Sequence, residues 1–427
     1  MTSTKKNYTL PLMMMFLLFF IISFVTGLQN PLGVIVKDQF GLSNFQSQLG
    51  NFANFLAYLV MGIPAGKMIE SIGYKKTALV ALVMGFTGVL IMYIGGNIGS
   101  FYLYLTGAFV SGFTMCTLNA VVNPMITVLG SEKGANQRLN FGGALNSFGA
   151  TIVPILGGML MGSAARSTMS ISDANPLLFL AMGIFAVVFL VLFFVDIPEP
   201  HIIKKEDKAM HKHSAMSFRH FVLGIITIFI YVGVEVGIPN IANLFMTASA
   251  DKGGLGMDTG IAGTIVGTYW FLMLIGRLVG GALGKVFTSK QMLAFVSSLG
   301  LILILGAIYL PLEIKVRMPV VTSELAFEFA EVPVSVMFLI LTGLCTSIMW
   351  PGIFNLATKG IGKYMAQGSG IFMTMVVGGG ILPLVQGYLA DMFGYLNSYW
   401  LIIASLAFML YYALIGSKNV NTDIPVD

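Results

Sequence analysis

The sequence has little charge and very little cysteine or histidine. Asp, Glu, Lys and Arg make up 10% of the 427 residues, whereas 56% are hydrophobic. Soluble domains carry about 25% charged residues, so this composition excludes a soluble globular protein. The two cysteines, Cys116 and Cys345, fall in apolar stretches, where small buried side chains are expected rather than a disulfide or a metal site. None of the four histidines lies deep in an apolar stretch, which argues against a histidine proton relay.

Motifs of catalysis are missing as well. The sequence contains no G-x-S-x-G, no H-E-x-x-H and no P-loop, so a membrane enzyme is not expected and neither is a cofactor. The net charge of +5 is spread over short connections between apolar stretches, and it therefore does not indicate nucleic-acid binding.

The chain consists mainly of apolar stretches that are long enough to cross a bilayer, for which about 20 residues are needed. Lys5, Lys6 and the apolar run after them resemble a signal peptide, but no small-residue cleavage site follows. We therefore predict an uncleaved first helix. Twelve transmembrane spans are predicted, at residues 9–36, 46–68, 77–96, 100–128, 138–163, 177–195, 219–247, 259–286, 291–312, 333–358, 365–390 and 395–416.

The positive charges indicate an orientation. With the N-terminus inside, 18 of the 23 Lys and Arg residues fall on the inner side, which predicts that both termini are cytoplasmic. The longest charged connection, 196–218, separates two predicted six-helix domains, 1–195 and 219–427. Three pairs of identical residues lie 229 positions apart, which indicates that the two domains are repeats: Cys116 and Cys345, Pro154 and Pro383, Gly158 and Gly387. Repeats of this kind place a substrate site between them at the membrane midplane.

Glu235 lies near the centre of the seventh span (FVLGIITIFIYVGVEVGIPNIANLF) and is the only acid deep inside a span. A charge at that depth costs at least ~2.5–3.5 kcal/mol on insertion scales and usually marks a substrate or ion pathway. A protonated Glu that is hydrogen-bonded between helices is the alternative. Pro239, one turn later, is expected to break the helix and to free backbone carbonyls beside the acid.

Amides are concentrated in spans one, two, four and five, and aromatic residues lie in spans eight and ten. An amide both donates and accepts hydrogen bonds, which suits a sugar hydroxyl, and an aromatic face can lie against the apolar side of a sugar ring. Hydrogen bonding between helices and ordinary packing are the alternatives. We expect neutral rather than anionic sugars, because the Glu235 carboxylate would repel an anion. The candidate substrate-binding residues are Gln29, Asn30, Asn51, Asn54, Asn119, Asn123, Asn146, Glu235, Tyr269, Trp270 and Trp350.

The connection after span two carries a recognisable pattern, with Gly66, Glu70 and Gly73 followed by Lys75 and Lys76. It resembles the conserved loop G-x-x-x-D/E-x-x-G-x-K/R-K/R of the major facilitator superfamily. The glycines permit a tight turn, and the acid can engage a helix N-terminus or a basic residue. A pairing that forms in only one transport state would act as a latch. Cytoplasmic positive charge without any such role is the alternative.

Longer strings resemble the fucose–galactose–glucose symporter family of that superfamily. They include LSNFQ at 42–46, NPMITVLG at 123–130, YVGVE at 231–235, SIMWPGIF at 347–354 and MTMVVGGG at 373–380. The resemblance implies an all-α membrane protein with twelve transmembrane helices in two pseudo-symmetric six-helix bundles. It also implies a monomer that imports a neutral hexose such as fucose, glucose or galactose across the bacterial inner membrane. Another small solute, or a sensor that transports nothing, is the alternative.

Two residues depart from the family. Its proton symporter carries an Asp in span one and a Glu in span four, where the matching strings place Asn30 and Asn119. An amide keeps the hydrogen-bonding shape but cannot ionise. Either Glu235 carries the coupling, or an ion other than the proton, such as sodium, is coupled, or transport is uncoupled.

The segment 313–333 (EIKVRMPVVTSELAFEFAEVP) is acidic and alternates apolar with polar residues. We expect an amphipathic segment on the periplasmic side, over the mouth of the cavity.

Overall fold

The computed structural model describes residues 8–129, 135–161, 170–198, 213–284, 286–321, 327–421 and 423–426. Most of the predicted linker at 196–218 lies outside these residues. Eleven helical segments within them are long and apolar enough to cross a membrane, and Phe141–Gly157 is a shorter apolar helix. The prediction of a twelve-helix membrane protein is consistent with this arrangement.

The α-helices and the two β-strands are numbered in chain order, and the short 3₁₀ and π turns carry no number. They are α1 (Thr9–Phe40), α2 (Asn44–Ser47), α3 (Leu49–Asn97), α4 (Phe101–Val128), α5 (Ala135–Met161), α6 (Asn175–Phe194), α7 (Arg219–Thr247), α8 (Thr259–Leu283), α9 (Ser289–Tyr309), β1 (Lys315–Val321), β2 (Phe327–Pro333), α10 (Val334–Thr346), α11 (Met349–Thr358), α12 (Met365–Thr374), α13 (Gly378–Phe393) and α14 (Trp400–Tyr411).

Short connections define the two ends of the bundle. α1 stops at Gly41, whose left-handed conformation (φ 60°) ends the helix. Ser43 then starts α2 with a capping box, because its side chain accepts from the Gln46 N–H while the Gln46 side chain accepts from the Ser43 N–H. Because successive spans cross in opposite directions, this connection and the β1–β2 hairpin lie at the same end of the bundle, which we call the hairpin end. The C-terminal tail lies at the other, the terminal end, where Asn421 accepts from the Arg219 N–H.

Spans two and three form one long helix with an interruption. Gly73 in α3 has φ 83° and ψ 172°, which is outside the helical region and is easily adopted only by glycine. Two apolar segments, Leu49–Ile69 and Ser71–Asn97, make up this helix, and the interruption at Gly73 lies near the start of the second one. The turn predicted from the glycine pattern is therefore present.

The segment predicted as amphipathic is a β-hairpin. β1 pairs antiparallel with β2, and Arg317 lies opposite Glu331. Met318 and Val320 are buried, whereas Arg317 and Phe329 are exposed. The alternation of apolar and polar residues in the sequence is the period of a strand, with one face against the helices.

Two prolines expose backbone carbonyls that side chains then use. Proline has no N–H, so the carbonyl four residues earlier loses its helical partner. Pro239 frees the carbonyl of Glu235, which accepts from the Tyr269 hydroxyl at 3.0 Å. Pro383 frees the carbonyl of Gly379, which accepts from Asn51 Nδ2 at 2.8 Å. The prediction that Pro239 breaks its helix is wrong, because α7 continues to Thr247, but the freed carbonyl beside the acid is present.

Buried amides join the two halves of the chain toward the hairpin end. Asn30 Nδ2 donates to Asn240 Oδ1 at 2.9 Å, and Asn243 Nδ2 donates to Asn30 Oδ1 at 2.7 Å. Asn240 Nδ2 also donates to Gln48 Oε1 at 3.2 Å. All four side chains are buried. These bonds, together with the one from Asn51 to Gly379, close the hairpin end between α1, α3, α7 and α13.

The contact between Asn51 and Gly379 gives a test of this packing. Asn51→Leu should lower stability by up to about 1.7 kcal/mol, since it leaves the freed carbonyl without its donor. In a Pro383→Ala background the loss should be smaller, because the alanine N–H restores the helical partner of Gly379. Thermal unfolding of the purified protein in detergent measures both losses. Equal losses in the two backgrounds would contradict the account.

Candidate functional site

A large cavity of about 2250 Å³ lies between the N-terminal and C-terminal halves of the chain. At mid-span it is lined by Glu235 and Trp270, and it extends to Gly66, Tyr74 and Phe287 at the terminal end. Pockets for small ligands usually measure about 300–1,000 Å³. The volume of this cavity therefore exceeds that of a pocket for one hexose. Such a volume is expected of a vestibule that opens at the terminal end while the hairpin end is closed.

Glu235 is paired with an arginine inside this cavity. Arg277 Nη2 lies 3.3 Å from Glu235 Oε1, and the two side chains are 20% and 13% exposed. Arg277 Nη1 also donates to the carbonyl of Gly143 at 2.7 Å. The arginine in α8 thus connects the acid on α7 to the backbone of α5 in the other half. Sequence reasoning did not propose Arg277 as a site residue, and its position within span eight was the signal that could have found it.

A second arginine is held at the wall of the cavity. Arg138 also lines it, and its Nε donates to the carbonyl of Ile126 at 2.9 Å. Among the described lining residues, Arg138 and Arg277 are the arginines and Glu235 is the carboxylate. The expectation that Glu235 repels anions loses its physical basis, because the guanidinium of Arg277 compensates the charge of the carboxylate.

The backbone of Glu235 is held by a hydrogen-bonded group of the C-terminal half. The Tyr269 hydroxyl contacts both the Glu235 carbonyl and Thr346 Oγ1, the latter at 3.1 Å. The Tyr231 hydroxyl donates to the carbonyl of Thr346 at 3.1 Å. Tyr269 is 0% exposed and does not line the cavity. In this conformation it supports Glu235 from behind.

Three of the predicted amides line the cavity, namely Asn119, Asn123 and Asn146. Asn119 Nδ2 donates to the Tyr58 hydroxyl at 2.9 Å, and Asn123 Nδ2 donates to the carbonyl of Asn119 at 2.9 Å. Asn146 Nδ2 donates to the carbonyl of Phe19 at 3.1 Å. The Nδ2 groups of Asn119 and Asn146 thus join neighbouring helices, that of Asn123 bonds within α4, and all three side chains stay at the cavity wall.

The other four predicted amides, Gln29, Asn30, Asn51 and Asn54, do not line this cavity. Asn30 and Asn51 join the halves near the hairpin end, and Gln29 Oε1 accepts from the Tyr104 hydroxyl at 3.3 Å. Asn54 is 0% exposed, and neither of its side-chain polar atoms has a hydrogen-bond partner among the described residues. A role of these four in binding sugar stays a prediction.

Both predicted tryptophans line the cavity. Trp270 is 7% exposed and packs edge-on against Tyr269, with the ring centroids 5.2 Å apart. Trp350 packs edge-on against Tyr231 and Phe372, at 6.2 and 5.7 Å. Neighbouring rings thus fix the orientation of both indoles beside the acid.

The loop that holds the predicted gating residues faces the same space through one of them, Gly66, and through its neighbour in the loop, Tyr74. Gly66 and Tyr74 line the cavity at the terminal end. Lys75 is half-buried and Lys76 is exposed. The side chain of Glu70 lies outside the part of the chain that the structure describes. A gating role of this loop stays a prediction.

Comparison with a protein-family model gives the family. The model described as Major Facilitator Superfamily matches residues 15–375. The chain belongs to the Major Facilitator Superfamily.

Relatives within this superfamily match over nearly the whole chain. A "Glucose/galactose transporter" of Brucella abortus is 33% identical over 424 residues, which cover 98% of this chain and 97% of the relative. The "L-fucose-proton symporter" of Escherichia coli is 25% identical, covering 91% and 89%. The solved structure of the E. coli symporter in its outward conformation matches with a TM-score of 0.67 at 22% identity, over 96% of this chain and 100% of that one. The major facilitator fold predicted from the sequence is confirmed.

The ion pair of this superfamily member can be measured directly. Arg277→Gln should destabilise the protein more than the double variant Arg277→Gln with Glu235→Gln, because the single change leaves a carboxylate without its partner. We expect a coupling of ~0.5–3 kcal/mol from the double-mutant cycle of thermal unfolding. Arg317 and Glu331 on the hairpin form a matched exposed pair, 3.8 Å apart and 75% and 58% exposed, which should show almost no coupling. Losses of stability that simply add for the changes at Glu235 and Arg277 would contradict an energetic coupling between the two side chains.

Proposed function

We propose that this protein is a transporter of neutral hexoses that works by alternating access in the bacterial cytoplasmic membrane. The observation that carries the proposal is the cavity between the two halves, lined at mid-span by amides, indoles and one ion pair. The names of the relatives support it, since those proteins are called transporters of glucose and galactose or of L-fucose with a proton.

The orientation follows from the positive charges. Most Lys and Arg residues precede or follow spans at the terminal end, and this bias is typical of the cytoplasmic side. With the terminal end in the cytoplasm, the cavity faces inward and the closed hairpin end faces the periplasm. The division into domains 1–195 and 219–427 fits a mechanism in which two bundles rock about the site.

The cavity wall offers groups that match a hexose. Asn119, Asn123 and Asn146 supply amides for hydroxyl groups, Glu235 supplies an acceptor, and Arg277 supplies donors. Trp270 and Trp350 supply flat apolar surface for the C–H face of a pyranose. Neutral substrates are favoured because the one acid among the described lining residues is paired with Arg277 and three of the candidate polar groups are amides, rather than because a free carboxylate repels anions.

The coupling ion is a separate part of the proposal. Asn30 and Asn119 cannot take up a proton, so the proton route through these positions is closed. We propose that Glu235 serves mainly to bind sugar, because its removal would leave hydroxyl groups short of a strong acceptor. A coupled proton or sodium ion would then use other residues, or transport is facilitative.

The test is counterflow in proteoliposomes with labelled D-glucose, D-galactose and L-fucose, with and without pH and sodium gradients. Unlabelled neutral hexoses should compete, whereas uronic and sialic acids should not. A panel in which only the acidic sugars, or only amino sugars or disaccharides, compete would replace the hexose proposal with that substrate class. No exchange of any solute by correctly folded protein would favour a sensor.

The same assay on Glu235→Gln separates binding from coupling. If Glu235 binds sugar, counterflow and gradient-driven uptake should both fall. If it is the coupling group, accumulation should be lost while counterflow survives, since the amide imitates the protonated acid. Glu331→Gln, an exposed acid of the hairpin, is the matched control and should leave both activities unchanged.

A further inference from the structure

A nine-residue pattern occurs twice, at opposite ends of the molecule. Residues 66–74 read GKMIESIGY and residues 387–395 read GYLADMFGY, so both fit G-x-x-x-(D/E)-x-x-G-Y. The backbone repeats as well, because Gly73 has φ 83° and ψ 172° while Gly394 has φ 88° and ψ 161°. This conformation is strained for residues with a side chain. The first copy lies in the middle of α3, where the chain turns at the terminal end of the molecule. The second copy lies at the C-terminus of α13, at the hairpin end.

The acid of the second copy binds backbone N–H groups in the other half of the chain. Asp391 Oδ1 accepts from the Asn44 N–H at 2.7 Å, and Oδ2 accepts from the Phe45 N–H at 2.8 Å. These are the first two N–H groups of α2, which have no partner within their own helix. Hydrogen bonds to a carboxylate are among the stronger ones in proteins.

The glycine and the tyrosine of the second copy reach the same place. A Cβ at Gly387 would lie 2.7 Å from the carbonyl oxygen of Asn44, so only glycine allows this approach. The Tyr395 hydroxyl donates to Asn44 Oδ1 at 3.1 Å and accepts from Lys37 Nζ at 2.9 Å. The acid, the first glycine and the tyrosine all hold α13 against the connection between α1 and α3.

The first copy is placed differently. Gly66 and Tyr74 line the cavity, and no described residue outside the neighbouring turns of α3 comes within 4 Å of a Cβ built at Gly66. The copy at the closed end therefore packs across the two halves, while the copy at the open end faces the cavity.

We propose that Asp391 is a positioning residue for transport, which holds the hairpin end shut while the cavity is open at the terminal end. The hairpin end can open only after Asp391 releases the N–H groups of Asn44 and Phe45. The bonds exist in one conformation and not in the other, so they shift the population between the two. This proposal goes beyond the sugar proposal, since it concerns the conformational change and not the substrate.

A cysteine reporter at Val34 tests this without any sugar. Val34 is 5% exposed and lies with Pro154 beside Asn243 and Thr247 of the other half, around a void of about 10 Å³. In protein purified in detergent, with Cys116 and Cys345 replaced by serine, a bulky maleimide should label Val34→Cys slowly. Asp391→Asn should speed labelling about tenfold, because an amide can accept only one of the two bonds and turns its NH₂ toward the other N–H.

Three controls keep the result specific. Asp391→Glu should restore slow labelling at least in part, and Asp251→Asn, an exposed acid in the connection between α7 and α8, should leave the rate unchanged. A second reporter, Leu192→Cys, is 0% exposed inside the N-terminal half and should stay protected in every variant. An unchanged rate at Val34→Cys, or an equal rise at both reporters, would overturn the proposal. Because the labelling needs no substrate, its result can contradict the role of Asp391 while the sugar proposal stands. Equally, counterflow can contradict the sugar proposal while the role of Asp391 stands.

Discussion

A polar group between two helical bundles in a membrane needs a hydrogen-bond partner in each conformation that the bundles adopt, and this constraint explains most of the structure. At the hairpin end the amides of Asn30, Gln48, Asn240 and Asn243 hydrogen-bond one another across the halves, and of their buried side-chain polar atoms only Asn243 Oδ1 has no partner in the described part of the chain. Near the middle, Glu235 is satisfied by Arg277, which also reaches the other half at Gly143. Amide donors of Asn30, Asn240 and Asn243 at the closed end thus find acceptors in the other half, whereas the polar groups of the cavity are placed where water or a ligand can reach them.

The prolines contribute to the same balance. Each interior proline removes one helical hydrogen bond and leaves a carbonyl at a defined position, four residues earlier. In α7 and α13 this carbonyl faces a hydroxyl or an amide of another helix, so the loss within the helix becomes a contact between helices. Each of these prolines therefore both removes a hydrogen bond within its helix and provides the acceptor for a contact with another helix.

Much of this could be predicted from the sequence, because the features are local. Spans follow from runs of apolar residues, the turn at Gly73 from its glycine pattern, and the freed carbonyl of Glu235 from Pro239. Pairing across the fold could not be predicted. The partner of Glu235 is 42 positions away, and helical periodicity does not tell which amides face the cavity and which face the opposite half. The hairpin was visible only as alternation, and the second G-x-x-x-(D/E)-x-x-G-Y pattern was readable but gained meaning only from the contacts of Asp391.

The central claim is that the two ends open in alternation, and paired spin labels measure this most directly. One pair would join Tyr102 and Asp251 at the hairpin end, and another would join Ile72 and Val286 at the terminal end, all at exposed positions. In liposomes with saturating D-glucose or D-galactose, electron–electron resonance should show a new population with a longer distance at the hairpin end and a shorter one at the terminal end. Distances that lengthen or shorten together at both ends, or that stay fixed while the sugar exchanges, would contradict the account.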